Sequence, residues 1–313
     1  MDCSDPVNEI PLLNENNVLM KESLFEVDVT IVGMGSATLS ILYGLTAALV
    51  WGAGDFSGGV ATKRNDVYIV VLFGHLIGLV CLVLLALLVG EPWPSAVDMI
   101  YGALAGLGGM LGVLAFYSSL SRSPMGVVAP VTALVNATIP LVFALFLEGV
   151  PPILQGVGIL IALVAVWLLA GAGKMSGVKL QEFGLPVLAG FGFAMFIVLI
   201  DQVSEGFVFW PLSASRVASV LFVLSVLTFS KQRGFARPVQ LWIIGLSGIF
   251  DAAGNAFFAL AAQTGRLDIA SILTSLYPAS TVFLAWILLG ERLSSSQKWG
   301  VVLTLVALVL ITL

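Results

Sequence analysis

Residues 243–313 read IIGLSGIFDAAGNAFFALAAQTGRLDIASILTSLYPASTVFLAWILLGERLSSSQKWGVVLTLVALVLITL, and an earlier stretch of the chain repeats their pattern. Placing residues 101–171 onto 243–313 without a gap aligns identical residue types at positions scattered along the whole stretch. The aligned pairs include Gly106 with Gly248, Gly112 with Gly254, Phe116 with Phe258, Thr132 with Thr274 and Gln155 with Gln297. Apolar composition alone does not explain the matched glycines, so the sequence predicts a duplicated unit.

The composition of the chain places this unit in a bilayer. Of the 313 residues, 59% are hydrophobic and 10% are charged, whereas a soluble domain carries about 25% charged residues. A helix needs about 20 mainly apolar residues to cross roughly 30 Å of hydrocarbon. Ten stretches qualify, near residues 38–60, 67–89, 97–120, 126–147, 152–172, 183–203, 209–230, 240–263, 268–290 and 296–313.

Each copy of the unit then contains five helices, and an odd number means that the second copy enters the membrane from the opposite side. Inverted repeats of this kind are typical of secondary transporters, whose substrates bind near the membrane midplane. We therefore predict an all-α polytopic membrane protein with ten transmembrane helices. They would form two inverted five-helix repeats, over residues 38–173 and 183–313.

The N-terminal segment, residues 1–37, differs in composition. Seven of the eighteen acidic residues lie in the first 28 positions, against one Lys21, so we expect an acidic, disordered tail and no secretory signal peptide. Residues 26–40, EVDVTIVGMGSATLS, are similar to a nucleotide-binding strand with its glycine loop. However, Thr38 replaces the third glycine, and the acid that follows, Asp55, lies in an apolar span. No dinucleotide site is expected there.

The distribution of Lys and Arg predicts the orientation. Loops after the odd-numbered predicted helices hold ten of these residues, and the opposite face holds Lys21 and Arg266. Short basic loops stay in the cytoplasm. Both termini are therefore expected on the non-cytoplasmic side of the plasma or inner membrane.

Three stretches carry a family resemblance. FFALAAQTGRLDIASILTSLYPASTVFLAWILLGERLSSSQKWGVVLTLVALVLI (257–311) closely resembles the last helices of an EamA repeat in the drug/metabolite transporter (DMT) superfamily, and AFYSSLSRSPMGVVAPVTALVNATIPLVFALFLEG (115–149) resembles its first-half counterpart. LVWGAGDFSGGVATKR (49–64) is similar to the first helix of these proteins. Asn136 departs from the pattern, because it stands where the second copy has Pro278.

The resemblance implies a ten-helix carrier of small metabolites or drug-like molecules. Its central cavity would be formed by the third, fourth, eighth and ninth helices, together with the first and sixth. Members of the family export amino acids and other small solutes or carry nucleotide sugars, and the resemblance alone does not choose among these substrates.

Ionisable residues inside spans are candidates for function, because each costs about 2.5–3.5 kcal/mol on insertion scales. Asp251 falls near the midplane of its helix, and Asn255 follows on the same face one turn later. They are expected to line the substrate path or a proton site, with a structural hydrogen bond as the alternative.

Three further ionisable groups complete a possible proton or charge relay with Asp251. Asp55 could attract a cation or accept a proton, or it could pair with Lys63 or Arg64. Arg216 could clamp an anion, or it could snorkel or pair with Asp201 or Glu205. His75 is the only histidine and a conceivable proton relay.

Polar and aromatic side chains are also expected in the cavity, where rings can stack on a solute and polar groups can orient it. Each could equally be a packing residue. The candidates are Trp51, Tyr117, Asn136, Thr274 and Tyr277.

These features predict a secondary transporter that exports a small solute by alternating access, with proton coupling through Asp251 and Asp55. The alternatives are a nucleotide-sugar or sugar-phosphate exchanger and a non-transporting membrane assembly protein. No catalytic set, metal site or cofactor site is expected, so an enzyme is not predicted. The expected partners are a small-molecule substrate and the lipid bilayer but no nucleic acid, with the chain a monomer or a homodimer.

Overall fold

The computed structural model of the chain describes residues 35–62, 65–120, 125–169, 184–229, 240–277 and 294–312, with residues 279–280, 283–284 and 287 between the last two ranges. Within these ranges the elements are helices and short connections. Residues 1–34 of the predicted acidic tail lie outside the described residues, as do Lys63 and Arg64.

The helices are labelled α1 to α10 in chain order. They are α1 (Ser36–Thr62), α2 (Val67–Val89), α3 (Ala96–Leu120), α4 (Met125–Leu147), α5 (Ile153–Leu169), α6 (Gly184–Asp201), α7 (Phe209–Phe229), α8 (Leu241–Thr264), α9 (Leu267–Thr274) and α10 (Ser295–Thr312). Local chemistry sets several ends. Before α2, for example, the Asp66 carboxylate accepts a hydrogen bond from the Tyr68 N–H, and Gly90 ends the helix in the left-handed conformation.

Six of the described helices are long and apolar enough to cross a membrane, namely α1, α2, α6, α7, α8 and the Ala96–Phe116 part of α3. Shorter apolar helices run over Val131–Leu147, Ile153–Leu168 and Ser295–Ile311. The outward surfaces of these helices expose large apolar side chains such as Leu49, Phe146 and Phe229. Lipid covers such a surface and water does not. The chain is therefore an integral, multi-pass membrane protein.

The two halves of the chain pack in matching ways. Helix α1 lies antiparallel to α8, because Ser40 Oγ donates to the Ala261 carbonyl while Ser247 Oγ donates to the Gly54 carbonyl. Helix α3 packs against α6 in the same antiparallel sense. Exchanging the two five-helix halves, so that α1 corresponds to α6 and α8 corresponds to α3, converts the α1–α8 pair into the α3–α6 pair. The same exchange relates the α3–α7 and α2–α8 contacts.

Matched glycines allow the closest of these contacts. Gly106 of α3 faces the backbone of Ser215 in α7, and its repeat partner Gly248 of α8 faces the backbone of Gly74 in α2. A Cβ atom at either glycine would collide with a backbone carbonyl of the facing helix. Small residues permit this approach between membrane helices, and here they hold one half against the other.

One end of the helix bundle carries polar contacts between the halves. The Glu91 carboxylate accepts hydrogen bonds from the N–H groups of Val208, Phe209 and Trp210, at 3.1, 2.8 and 3.2 Å, so it caps the start of α7. Nearby, the Ser204 N–H donates to Asp98 Oδ1 at 2.9 Å. These carboxylates from the first half satisfy backbone donors of the second.

Arg266 makes a third contact of this kind at the same end. Its guanidinium donates to the carbonyls of Glu148 and Gly149 at 3.2 and 2.8 Å and pairs with Asp268 at 2.8 Å. The hydrogen bond to the Asp268 carboxylate raises the pKa of Arg266 above its ordinary value, so the group stays charged. The bundle is therefore fastened across the two halves at this end.

Candidate functional site

A cavity of about 100 Å³ lies between the two halves. Roughly 10–15 Å³ by this measure holds one water, so the space suits a small solute. The lining residues come from α1, α2, α3, α4, α6, α7 and α8 and from Tyr277, which follows α9. The resemblance implied most of these helices but not α2 and α7, whose close approach to α8 and α3 brings them to the cavity.

Six of the eight predicted path residues line this cavity, and all four predicted relay groups do. The path residues are Asp251, Asn255, Asp55, Trp51, Asn136 and Tyr277, and the relay set adds His75 and Arg216. The side chain of Tyr117 lies outside the described part of the structure.

Thr274 is not among the lining residues. Its side chain is fully buried, and its hydroxyl donates to the carbonyls of Ala270 and Ser271 within its own helix, at 2.9 and 3.0 Å. A hydroxyl satisfied by the preceding turn is not available to a solute.

An ion pair joins α7 to α8 at the cavity wall. Arg216 Nη2 lies 2.7 Å from Asp251 Oδ2, and the Arg216 side chain is only 5% exposed whereas that of Asp251 is 36% exposed. The alternatives of snorkelling and of pairing with Asp201 or Glu205 do not describe this arginine, because its guanidinium turns inward. Its guanidinium Nε lies close to Gly78 of α2, which has no side chain to crowd it.

His75 completes this group from α2. Arg216 Nη1 lies 3.2 Å from His75 Nε2. Since a guanidinium only donates hydrogen bonds, Nε2 must accept, and His75 is then neutral with its proton on Nδ1. Nδ1 is buried and has no hydrogen-bond partner in the described structure. His75 therefore offers an unused N–H donor, and its 3.8 Å approach to Asp251 is not an ion pair.

His75 and Arg216 occupy equivalent positions in the two halves. Gly74 and Ser215 precede them, and these are the two positions that face the matched glycines Gly248 and Gly106. Two repeat-related side chains thus meet where the halves contact. The two copies therefore carry different side chains, a histidine and an arginine, at equivalent positions where they meet.

Asp55 lies on the cavity surface in α1, half-buried and close enough to Asp251 for the two carboxylates to repel each other. It makes no hydrogen bond or ion pair with another residue of the described ranges. Asp55 also borders a smaller adjoining cavity of about 60 Å³ together with Val70, Val71 and Ser247. Its carboxylate is thus open to a proton or a solute.

A hydrogen bond fixes the aromatic wall. Trp51 Nε1 donates to Asn255 Oδ1 at 2.8 Å, and the indole stacks on Phe258 with ring centroids 5.9 Å apart. The indole also fills the space that the absent side chain of Gly254 leaves. Trp51 is therefore held rigidly, one helical turn before Asp55 on the same face of α1.

Asn136 contributes a buried polar atom. The residue is 3% exposed, and its Oδ1 has no hydrogen-bond partner in the described structure. An unpaired buried acceptor costs about 1–3 kcal/mol, which a bound donor would recover. In sequence this asparagine replaces the proline of the second copy, so the unequal repeats again supply a polar group to the cavity.

Part of the cavity lining is apolar and was not predicted from the sequence. It consists of Met110, Val113, Phe193, Phe196 and Ile197. Apolar residues inside apolar spans carry no signal that separates a cavity wall from a lipid face. Ser215 and Ser219 also line the cavity, and their spacing around Arg216 in SASRVAS was a readable signal of a polar helix face.

The fold and this cavity describe a membrane protein of a known class. The model of the EamA-like transporter family matches residues 38–171 and 183–313, one copy in each half. The chain therefore belongs to the EamA-like transporter family, within the drug/metabolite transporter superfamily. The resemblance seen in the sequence is confirmed.

Two further similarities agree with this assignment. A protein of Archaeoglobus fulgidus named "Uncharacterized transporter" is 25% identical over 288 residues, which cover 88% of this chain and 98% of that one. A solved crystal structure superposes with a TM-score of 0.72 at 16% identity, covering 88% of this chain and 98% of that chain. At that identity the second similarity shows the fold alone.

Proposed function

We propose that this protein is a secondary transporter that exports a small metabolite or drug-like solute by alternating access. The observation that carries the proposal is the cavity between the two halves, which brings together the ionisable side chains of Asp55, His75, Arg216 and Asp251. Such groups are costly in a bilayer unless they serve a path or a partner. A non-transporting assembly protein would give Asp55 no role.

The proposal includes ten transmembrane helices arranged as two inverted repeats, residues 38–173 and 183–313. The α1–α8 pair and the α3–α6 pair correspond to each other when the two halves are exchanged, which supports equivalent halves. Two equivalent halves around one cavity provide two packings of similar energy, which alternating access requires. The Lys and Arg distribution supports non-cytoplasmic termini in a plasma or inner membrane, with the chain a monomer or a homodimer.

Under this orientation, Glu91, Asp98 and Arg266 fasten the non-cytoplasmic end of the bundle. Their bonds would have to open for the solute to leave on that side. Each bond joins a charged side chain to a partner that water can replace, so opening has a net cost of about 1.5–3 kcal/mol per bond.

Proton coupling is the proposed energy source. Asp55 and Asp251 are carboxylates in one cavity, and their mutual repulsion favours binding of one proton or one cation between them. An exchanger of sugar phosphates or nucleotide sugars is less well supported. Its anionic substrates need free cations, and the described cavity offers Arg216, whose charge Asp251 already balances. We also propose that the chain is not an enzyme.

Flux in reconstituted proteoliposomes tests the proposal. A metabolite panel is first screened by thermal shift, because a ligand that binds the folded state raises its stability. The hits are then followed as flux. Val113→Phe fills the cavity and should abolish the flux, whereas Leu221→Phe, which changes an outward-facing side chain of α7, should preserve it. Equal flux through both variants would argue against the cavity as the path.

A further inference from the structure

We propose that the solute is an organic cation, a protonated amine with an apolar or aromatic body, and that Asp55 is its counter-ion. This inference rests on the proposed function and narrows it to one chemical class. It follows from the charges, the rigid ring and the unused acceptor that line the same cavity.

The first step is the charge balance of the described cavity wall. Arg216 and Asp251 neutralise each other at 2.7 Å. His75 is neutral because its Nε2 accepts from Arg216. Asp55 remains as a carboxyl group with no cationic partner in the described ranges, and it is negatively charged when it has released its proton. A membrane-embedded cavity with one uncompensated carboxylate attracts a cation and repels an anion.

The second step is the position of Trp51. Its indole lies one helical turn from Asp55 on the same helix face, and the bond to Asn255 together with the stacking on Phe258 holds it in place. A cation over an indole face gains about 0.5–2 kcal/mol. The carboxylate and the ring therefore favour the same ligand charge, and no reorganisation of the ring is needed.

The third step is the acceptor and the apolar wall. Asn136 Oδ1 is an unused, buried acceptor on the cavity, which an ammonium N–H group can satisfy. Phe193, Phe196 and Ile197 supply apolar lining from α6. In the repeat alignment, Gly109 and Val113 stand where Asp251 and Asn255 stand. The cavity therefore combines charged and polar groups with apolar side chains, as a solute with a charged head and an apolar body requires.

Three probes of nearly equal shape test the ligand charge, namely 2-phenylethylammonium, 2-phenylethanol and 3-phenylpropionate. Binding to the purified full-length protein is measured by thermal shift over a concentration series at pH 7. We expect the ammonium to bind about tenfold tighter than the alcohol, as a charge-assisted hydrogen bond provides, and the carboxylate to bind weakest. Tighter binding of the alcohol or of the carboxylate would overturn the inference. The absence of a thermal shift with the ammonium up to about 10 mM, the practical limit of such a series, would also overturn it.

Variants then assign the effect to Asp55. Asp55→Asn should remove the tenfold preference, while Asp55→Glu and the control Asp201→Asn should retain it, since Asp201 lies at the end of α6 and does not line the cavity. If Asp55→Asn keeps the preference, Asp55 is not the counter-ion, as would follow if it paired with Lys63 or Arg64. The comparison of probes on the unaltered protein holds even where a variant does not fold.

Flux separates this inference from the proposed function. Benzyltrimethylammonium, a permanent cation that does not cross bilayers unaided, is followed into proteoliposomes. Its uptake, lost in Asp55→Asn, supports the inference. Flux of neutral or anionic metabolites without uptake of any cation would overturn the inference and leave the transporter proposal standing. Absence of all flux would overturn both.

Discussion

Replacing Asp251 with asparagine should destabilise the protein more than replacing its partner Arg216 with methionine. Asp251→Asn leaves the guanidinium without a counter-charge in a site where its side chain is 5% exposed. Removing one partner of a buried ion pair costs about 3–5 kcal/mol. We expect about 3 kcal/mol, because the neighbouring His75 nitrogen and the wet cavity recover part of the loss.

Arg216→Met has a smaller expected cost of about 1 kcal/mol. The methionine has a similar length and no charge to desolvate, and the Asp251 carboxylate that loses its partner is 36% exposed and can be hydrated. The double variant should be more stable than Asp251→Asn alone, because it no longer holds an unpaired buried charge.

The free energies come from reversible unfolding of the purified protein in mixed micelles, followed by circular dichroism as the denaturing detergent increases. Asp201→Asn serves as the control, since its carboxylate lies outside the cavity, and it should shift the unfolding free energy by about 0.5 kcal/mol or less. Equal costs for the two single variants, or a double variant whose cost is their sum, would refute the assigned pairing.

Three further changes have distinct expected outcomes. Gly106→Ala places a methyl group against the Ser215 backbone and should lower the free energy of unfolding by about 2 kcal/mol or more, measured by thermal unfolding. The control Gly156→Ala, which has open space at its Cβ, should be neutral or stabilising. Similar effects of the two variants would contradict the close contact. Glu91→Gln weakens the cap on α7 and should cost about 0.5–2 kcal/mol, with faster hydrogen exchange at Phe209 and Trp210; unchanged exchange there would count against the cap. Trp51→Phe removes the bond to Asn255 and should lower stability by about 1 kcal/mol while Trp93→Phe, an exposed position, changes it little; equal effects would mean that the bond does not form.

The helices were largely predictable, because the length of each apolar stretch and the capping and turn residues at its ends determine them. Helix α2 has the predicted bounds 67–89, since Asp66 and Gly90 act through neighbouring backbone atoms. The ninth predicted stretch is different. Helix α9 ends at Thr274 and a turn follows at Ser275 and Leu276, whereas Tyr277 and residues 279–280, 283–284 and 287 are helical again. The sequence supplies a reason for the interruption, because Pro278 has no N–H to donate to the carbonyl four residues earlier.

Which residues line the cavity was partly predictable from the sequence, but which side chains pair with one another was not. An ionisable residue is easily recognised within an apolar span, so Asp55 and Asp251 could be identified from the sequence. The partner of Arg216 depends on how α2, α7 and α8 approach one another, which short-range patterns do not encode. Thr274 was also expected at the cavity, but in the structure its hydroxyl bonds its own helix. Phe193 and Phe196 gave no signal among other apolar residues.

Access of water-soluble reagents to the cavity from both sides of the membrane tests the central claim most directly. Val113→Cys, in a background without Cys3 and Cys81, is reacted in oriented proteoliposomes with a membrane-impermeant maleimide added to one side at a time. Leu221→Cys on the outward surface of α7 is the control and should not react. Alternating access predicts that Val113→Cys is labelled from either side while the vesicles stay impermeable to ions. Labelling from one side only, under every condition of solute and pH, would contradict the account.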